Sequence, residues 1–90
     1  MAKGDPDGAI ADYSKGIELN PKFFIAFNNR GNARKAKGDL DGAIDDYSKA
    51  IQFYPKNIDA YNNRGEARKA KGDLAGANAD FAQATKLKGP

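Results

Sequence analysis

An all-α fold of antiparallel helix-turn-helix hairpins is predicted by three features of the sequence. The first is a repeat: Asn28-Asn-Arg-Gly-Asn-Ala-Arg-Lys-Ala-Lys-Gly-Asp-Leu40 returns, 34 residues on, as Asn62-Asn-Arg-Gly-Glu-Ala-Arg-Lys-Ala-Lys-Gly-Asp-Leu74, with only Asn32 changed to Glu66. A fixed period of this size marks a unit that buries its apolar face only against its neighbours. The second is an apolar stripe, Ala43, Ile44, Tyr47, Ala50, Ile51 and Tyr54, at the spacing of an amphipathic helix. The third is punctuation by Pro21, Gly38-Asp39, Pro55, Gly72-Asp73 and Gly89-Pro90, which leaves connections too short for anything but antiparallel hairpins.

Five helices follow in order. The first runs from Gly8 to about Leu19, with Ala9, Ile10, Tyr13 and Ile17 near helical spacing. The second spans Phe24 to about Lys37 and the third Asp41 to about Tyr54. Asn57 is a plausible N-cap for the fourth, Ile58 to Lys71, and the fifth extends from about Ala75 to Leu87. The opening residues are the tail of another copy, since Gly4-Asp5 through Pro21-Lys22 match Gly38-Asp39 through Pro55-Lys56. One array results: a half-repeat at 4–23, then repeats at 24–57 and 58–90.

Composition bounds the function. Ninety residues make one small domain. No run of about 18 apolar residues is present, so no membrane span is expected. Met1 to Pro6 lacks the apolar core of a secretion signal, and a cytoplasmic location is the default. With no cysteine there is neither a disulfide nor a thiolate metal site, and no metal or cofactor is expected. Histidine is absent too, Asp45 and Asp46 point apart on one helix, and neither Gly-Asp pair continues as a phosphate loop, so no enzyme chemistry is predicted. The net charge is +3. Lys35, Lys37, Lys69 and Lys71 end their helices, where positive charge suits the macrodipole, and Asp39, Asp41, Asp45 and Asp46 begin the next one. These sets interleave, leaving no one-sign stripe for nucleic acid.

The chain resembles the tetratricopeptide repeat (TPR) family over nearly its whole length. The family's unit is a helix A–turn–helix B hairpin with signature positions that here hold Phe27, Arg30-Gly31, Arg34, Ala43, Tyr47, Ala50 and Pro55. The last unit has Tyr61, Arg64-Gly65, Arg68, Ala77, Phe81 and Ala84, with Gly89 where proline is usual; the opening half-unit has Ala9, Tyr13, Gly16 and Pro21. The resemblance implies a right-handed superhelix of two and a half repeats, ordered B-A-B-A-B, and a role in protein–protein interaction. The near-identity of the copies is that of a consensus-like or excised array.

Departures from the family pattern single out candidate residues. Arg30, Arg34, Arg64 and Arg68 occupy a packing face usually filled by Leu and Tyr, so each guanidinium needs a partner. Asp12, Asp46 and Asp80 share the period and predict an Arg–Asp ladder between helices. The concave face of such arrays, lined by helix A, holds extended peptides. Here the implied lining is Ile25, Asn28, Asn29, Asn32 and Lys35, then Asp59, Asn62, Asn63, Glu66 and Lys69. One TPR subclass clamps a chaperone's C-terminal carboxylate; Asn32 and Asn63 match two of its five positions, Asn28 stands where the first lysine belongs, and the third helix A is missing. The clamp is therefore incomplete.

Self-association is the leading expectation. Phe23, Phe24 and Ile25 form an apolar cluster whose counterpart, Asn57, Ile58 and Asp59, is more polar. The array has fewer than the about three units usually needed for stability. Ile10, Tyr13 and Ile17 at one end, and Phe81, Ala84 and Leu87 at the other, are then expected to lack neighbours. A homo-oligomer or helix-exchanged assembly follows, with a monomeric peptide-binding module as the alternative.

Overall fold

The computed structural model describes residues 5–89. Gly4, where the opening half-repeat is read to begin, Pro90, and Met1 to Lys3 lie outside the described residues. Five helices follow one another: α1 Pro6–Leu19, α2 Phe24–Lys37, α3 Leu40–Phe53, α4 Ile58–Lys71 and α5 Leu74–Lys88. The second and fourth have the expected bounds. The other three begin one or two residues earlier because Asp5, Asp39 and Asp73 are N-caps. Each carboxylate accepts the backbone N–H of a glycine three residues on, at 2.9–3.0 Å. Asn57 caps α4 in the same way, accepting from the Ala60 N–H at 3.0 Å. Helix α2 alone has no side-chain cap, because Phe23 stands at the cap position.

Gly38 and Gly72 close the A helices with φ of 91° and 95°, a left-handed backbone that only glycine adopts cheaply. That reversal turns α3 back along α2 and α5 back along α4. Each helix packs on the next in sequence, and α2 also touches α4. Among the described residues no such contact joins α1 to α3 or α3 to α5. The layer therefore curves with α2 and α4 on the inside.

Small residues make the close approaches possible. Phe27, Ala50 and Ala60 form one buried cluster, flanked by Ile17, Phe24, Ile51 and Phe53. Ala43, Tyr47 and Ala67 form another, flanked by Leu40 and Ile44. The first cluster spans the α2–α3 hairpin and the following A helix, and the second joins α3 to α4, so burial depends on stacking. None of the described helices is long and apolar enough to cross a membrane.

Candidate functional site

The arginines find their partners within their own hairpins. Arg30 makes a bidentate pair with Asp46, Nε to Oδ2 at 2.9 Å and Nη2 to Oδ1 at 2.8 Å, and Arg34 Nη1 reaches Oδ2 at 3.0 Å. Arg64 and Arg68 hold Asp80 through the same three bonds at 2.8–3.0 Å. The remaining nitrogen of each leading arginine, Nη1, donates to the preceding B helix, Arg30 to Ser14 Oγ and Arg64 to Ser48 Oγ, both at 3.0 Å. One guanidinium thus ties three helices together. Each also lies 5.5 Å from an aromatic ring, that of Phe27 or Tyr61.

Asp12 departs from the expected ladder. It is exposed, and among the described residues no arginine reaches it. The reason is positional: each aspartate takes the arginines of the A helix preceding it, and among the described residues no helix precedes α1. A cleft of about 400 Å³ beside α3, lined by Arg30, Arg34, Asp45, Asp46 and Lys49, is no ready anion site, since Asp46 already engages both arginines.

The concave residues come together as two parallel columns. Asn63 Nδ2 donates to Asn28 Oδ1 at 3.4 Å, and Lys35 Nζ meets Glu66 at 3.2 Å. Asn32, Asn62, Glu66, Lys69, Ile25 and Asp59 are exposed. Asn32 also accepts the Tyr47 hydroxyl at 2.6 Å. The following repeat has Phe81 and Glu66 in those two places; without a hydroxyl to receive, the side chain at this position is free to be acidic and to swing to Lys35. The paired change is visible in the sequence once the copies are aligned.

Burial, with the charges of Glu66 and Asp46, pushes the Tyr47 hydroxyl pKa above its ordinary value. A free tyrosine ionises at about pH 10. The folded state holds this proton more tightly, so stability is present below about pH 10 and falls as pH rises further. Lys37 and Lys71, raised by hydrogen bonds to Asp7 and Asp41, add to the decline in the same direction. Tyr47→Phe is expected to cost about 0.5–1.5 kcal/mol near neutrality and to show a shallower alkaline loss. Urea melts at about pH 8 and pH 11 check both halves.

The two array ends differ, and sequence reasoning missed how. Toward the next A helix, a B helix offers four groups. Asp7 and Asp41 take Lys37 and Lys71; Ser14 and Ser48 take Arg30 and Arg64. Ile17 and Ile51 enter the core cluster that contains Phe27 and Ala60, and Ile44 that of Ala67. On α5 the same places hold Ala75, Ala82, Thr85 and Asn78, all exposed. Its outer face therefore lacks the acid, the serine hydroxyl and the two isoleucines with which α1 and α3 hold the helix that follows them. Two expectations about the ends therefore change. Phe81 lies against its own hairpin, since a Cβ on Gly65 would come 2.6 Å from its ring, and Ala84 is buried. Leu87 is partly buried in the place of Phe53, which stacks 5.9 Å from Phe27. Ile17 packs against the core cluster that contains Phe27 of α2, so it does not lack a neighbour. With a B helix at each end, end-to-end stacking would set B against B rather than complete a repeat.

The apolar cluster at the first turn is exposed in part: Phe23 by 37%, Ile25 by 49%, with Leu19 at 82% and Tyr54 at 42%. Phe24 turns inward and packs 4.8 Å from Tyr54.

Comparison with known proteins agrees with this architecture. A family model described as TPR repeat matches residues 1–38 and 31–72, and one described as Tetratricopeptide repeat matches 58–89. The chain belongs to the tetratricopeptide repeat family. Among solved structures it is similar to MamA (TM-score 0.92, 29% identity, covering 94% of this chain and 50% of that one). It is also similar to the first TPR of Spaghetti (RPAP3) bound to the HSP90 peptide SRMEEVD (TM-score 0.92, 29% identity, 94% and 68% covered). The second TPR of the same protein, bound to the same peptide, gives a TM-score of 0.91 at 28% identity, with 94% and 79% covered. The chain thus spans half the length of the MamA structure it matches. No curated protein matches it in sequence.

Proposed function

We propose that this repeat array is a non-catalytic protein-interaction module whose concave face, between α2 and α4, binds an extended peptide through asparagine side chains. The observation that carries this reading is the Asn28–Asn63 bridge between the two A helices. It uses one acceptor and one donor, leaving the Asn28 amide N–H groups for a peptide carbonyl and Asn63 Oδ1 for a peptide N–H. Exposed Asn62 and Asn32 repeat that chemistry on either side, and Ile25 offers an apolar contact at the groove's end. The peptide complexes of the two Spaghetti TPRs, alike in fold to nearly all of this chain, support a peptide as the ligand.

Specificity for a terminal carboxylate is not part of the reading, because Asn28 replaces a clamp lysine and Lys35 is engaged by Glu66. Two A helices also offer less than the area of a standard interface. Titration calorimetry with an acidic C-terminal peptide and its amide should give similar affinities, no tighter than tens of micromolar, both weakened by Asn63→Ala. Submicromolar, carboxylate-dependent binding, or binding indifferent to Asn63→Ala, would sink the proposal.

Self-association is the second reading, favoured by the exposed Leu19, Phe23, Ile25 and Tyr54. Phe23 supports it further, since an apolar residue there forgoes a cap bond that contributes about 1 kcal/mol. Light scattering over a concentration series decides it: association weakened by Phe23→Asp with Ile25→Asp supports the reading, and a monomer at several hundred micromolar removes it.

A further inference from the structure

Asn32 and Glu66 occupy the same place on the two A helices, 34 residues apart, and both are exposed. They are held in different ways. Tyr47, whose ring is fully buried against Gly31, donates its hydroxyl to Asn32 Oδ1 at 2.6 Å. That length suits an O–H···O bond, usually about 2.7–2.8 Å, better than one from an amide nitrogen, usually about 2.9–3.0 Å. The oxygen is therefore the atom that faces the hydroxyl. A carboxamide is planar, with oxygen and nitrogen on opposite sides of its carbon. Tethering the oxygen to a buried group turns both N–H donors toward the groove. In the following repeat Phe81 takes the tyrosine's place and has no hydroxyl, and Glu66 is held from the side by Lys35 at 3.2 Å. One position thus offers the groove donors, the other only acceptors.

We propose that Tyr47 is a positioning residue for the peptide groove: out of a ligand's reach itself, it fixes the Asn32 side chain so that the amide N–H groups receive a peptide carbonyl. This role presupposes the peptide-binding reading of the concave face. An asparagine free on a helix surface samples several rotamers and both orientations of its amide, and binding must select one of them. Asn32 has made that selection on folding. Asn62, exposed and without a side-chain hydrogen bond among the described residues, is the unheld comparison on the same face. Glu66 cannot take the carbonyl, since a carboxylate has no donor, so the carbonyl's place is over α2. The buried hydroxyl of a B helix thereby sets which backbone group the A helix in front of it reads.

Two measurements on the full chain test this. In the free protein, the heteronuclear NOE of the Asn32 side-chain amide should exceed that of Asn62 and fall to the Asn62 value in Tyr47→Phe. An amide as rigid in Tyr47→Phe as in the parent overturns the proposal and leaves the groove reading standing. The amidated heptapeptide SRMEEVD, the sequence bound by the Spaghetti TPRs, is then titrated into the parent, Tyr47→Phe, Asn32→Ala and the double variant. Chemical shifts report binding, at a temperature where melts show all four chains folded. Kd should rise about two- to tenfold in Tyr47→Phe, the effect of holding one side chain in advance. In the Asn32→Ala background the same change should add nothing. A loss of equal size in both backgrounds would mean that Tyr47 acts only through the stability of the array, and sinks the positioning role, as does an affinity unchanged in Tyr47→Phe. A peptide that binds none of the chains, or binds them regardless of Asn63→Ala, removes the groove reading and the positioning role with it.

Discussion

Asp46→Ala is expected to destabilise the fold by about 3–5 kcal/mol, the cost of breaking a buried ion pair on one side. The side chain of Asp46 is 3% exposed, and its loss leaves Arg30 and Arg34, 16% and 27% exposed, without their acceptor. For a chain whose whole stability is of order 5–15 kcal/mol, that removes much of it, and the melting midpoint should fall on the order of 15 °C or more. Arg30→Leu should cost less, because Arg34 still serves the carboxylate. Replacing all three residues by apolar ones of similar size is expected to restore most of the loss. Asp12→Ala is the internal control: same period, same neighbouring tyrosine, but exposed, so a change within about 0.5 kcal/mol is expected. Equal effects at Asp12 and Asp46 in urea melts would show that burial and pairing are not what stabilises the ladder.

The period made much of this legible in the sequence. Apolar spacing and the Gly-Asp and proline stops placed α2 and α4 at Phe24–Lys37 and Ile58–Lys71, as the structure has them. The starts of α1, α3 and α5 were less legible, because an aspartate after a glycine looks like part of the turn while its side chain already caps the helix. That arginine must meet aspartate followed from the cost of an unpaired buried charge. Which aspartate did not, since Asp12 and Asp46 lie on either side of Arg30 at similar distances along the chain, and only the hairpin's closure selects Asp46. The altered outer face of α5 was written in Ala75, Asn78, Ala82 and Thr85, yet those substitutions acquire meaning only when α3 shows which groups face the next helix. The concave face was legible as a set of residues through the family resemblance. Its internal bonds, Asn63 to Asn28 and Lys35 to Glu66, depend on the stagger of two helices that the sequence does not state.

Gly31→Ala is expected to cost about 1–3 kcal/mol by overpacking, although alanine suits a helix better than glycine by about 0.8–1 kcal/mol. Steric room decides the sign. A Cβ at Gly31 would lie 2.7 Å and 2.9 Å from Tyr47 Cε1 and Cδ1, and that ring, fully buried and bonded to Asn32, has nowhere to retreat. Gly65→Ala meets Phe81 at 2.6 Å, but this ring is only partly buried and lacks the hydroxyl anchor, so the cost should be smaller. At Gly16 the nearest atom is Phe23 Cδ2 at 3.9 Å, an ordinary contact, and Gly16→Ala should stabilise by up to about 1 kcal/mol. The expected order of urea midpoints is therefore Gly16→Ala above the parent chain, then Gly65→Ala, then Gly31→Ala. A Gly31→Ala variant as stable as the parent would mean that Tyr47 does not set the α2–α3 distance. If it does, the clash must push α2 from α3 and stretch the Arg30–Asp46 pair one residue away. Gly31→Ala and Asp46→Ala combined should then cost less than the sum of the two, because the first already weakens what the second removes.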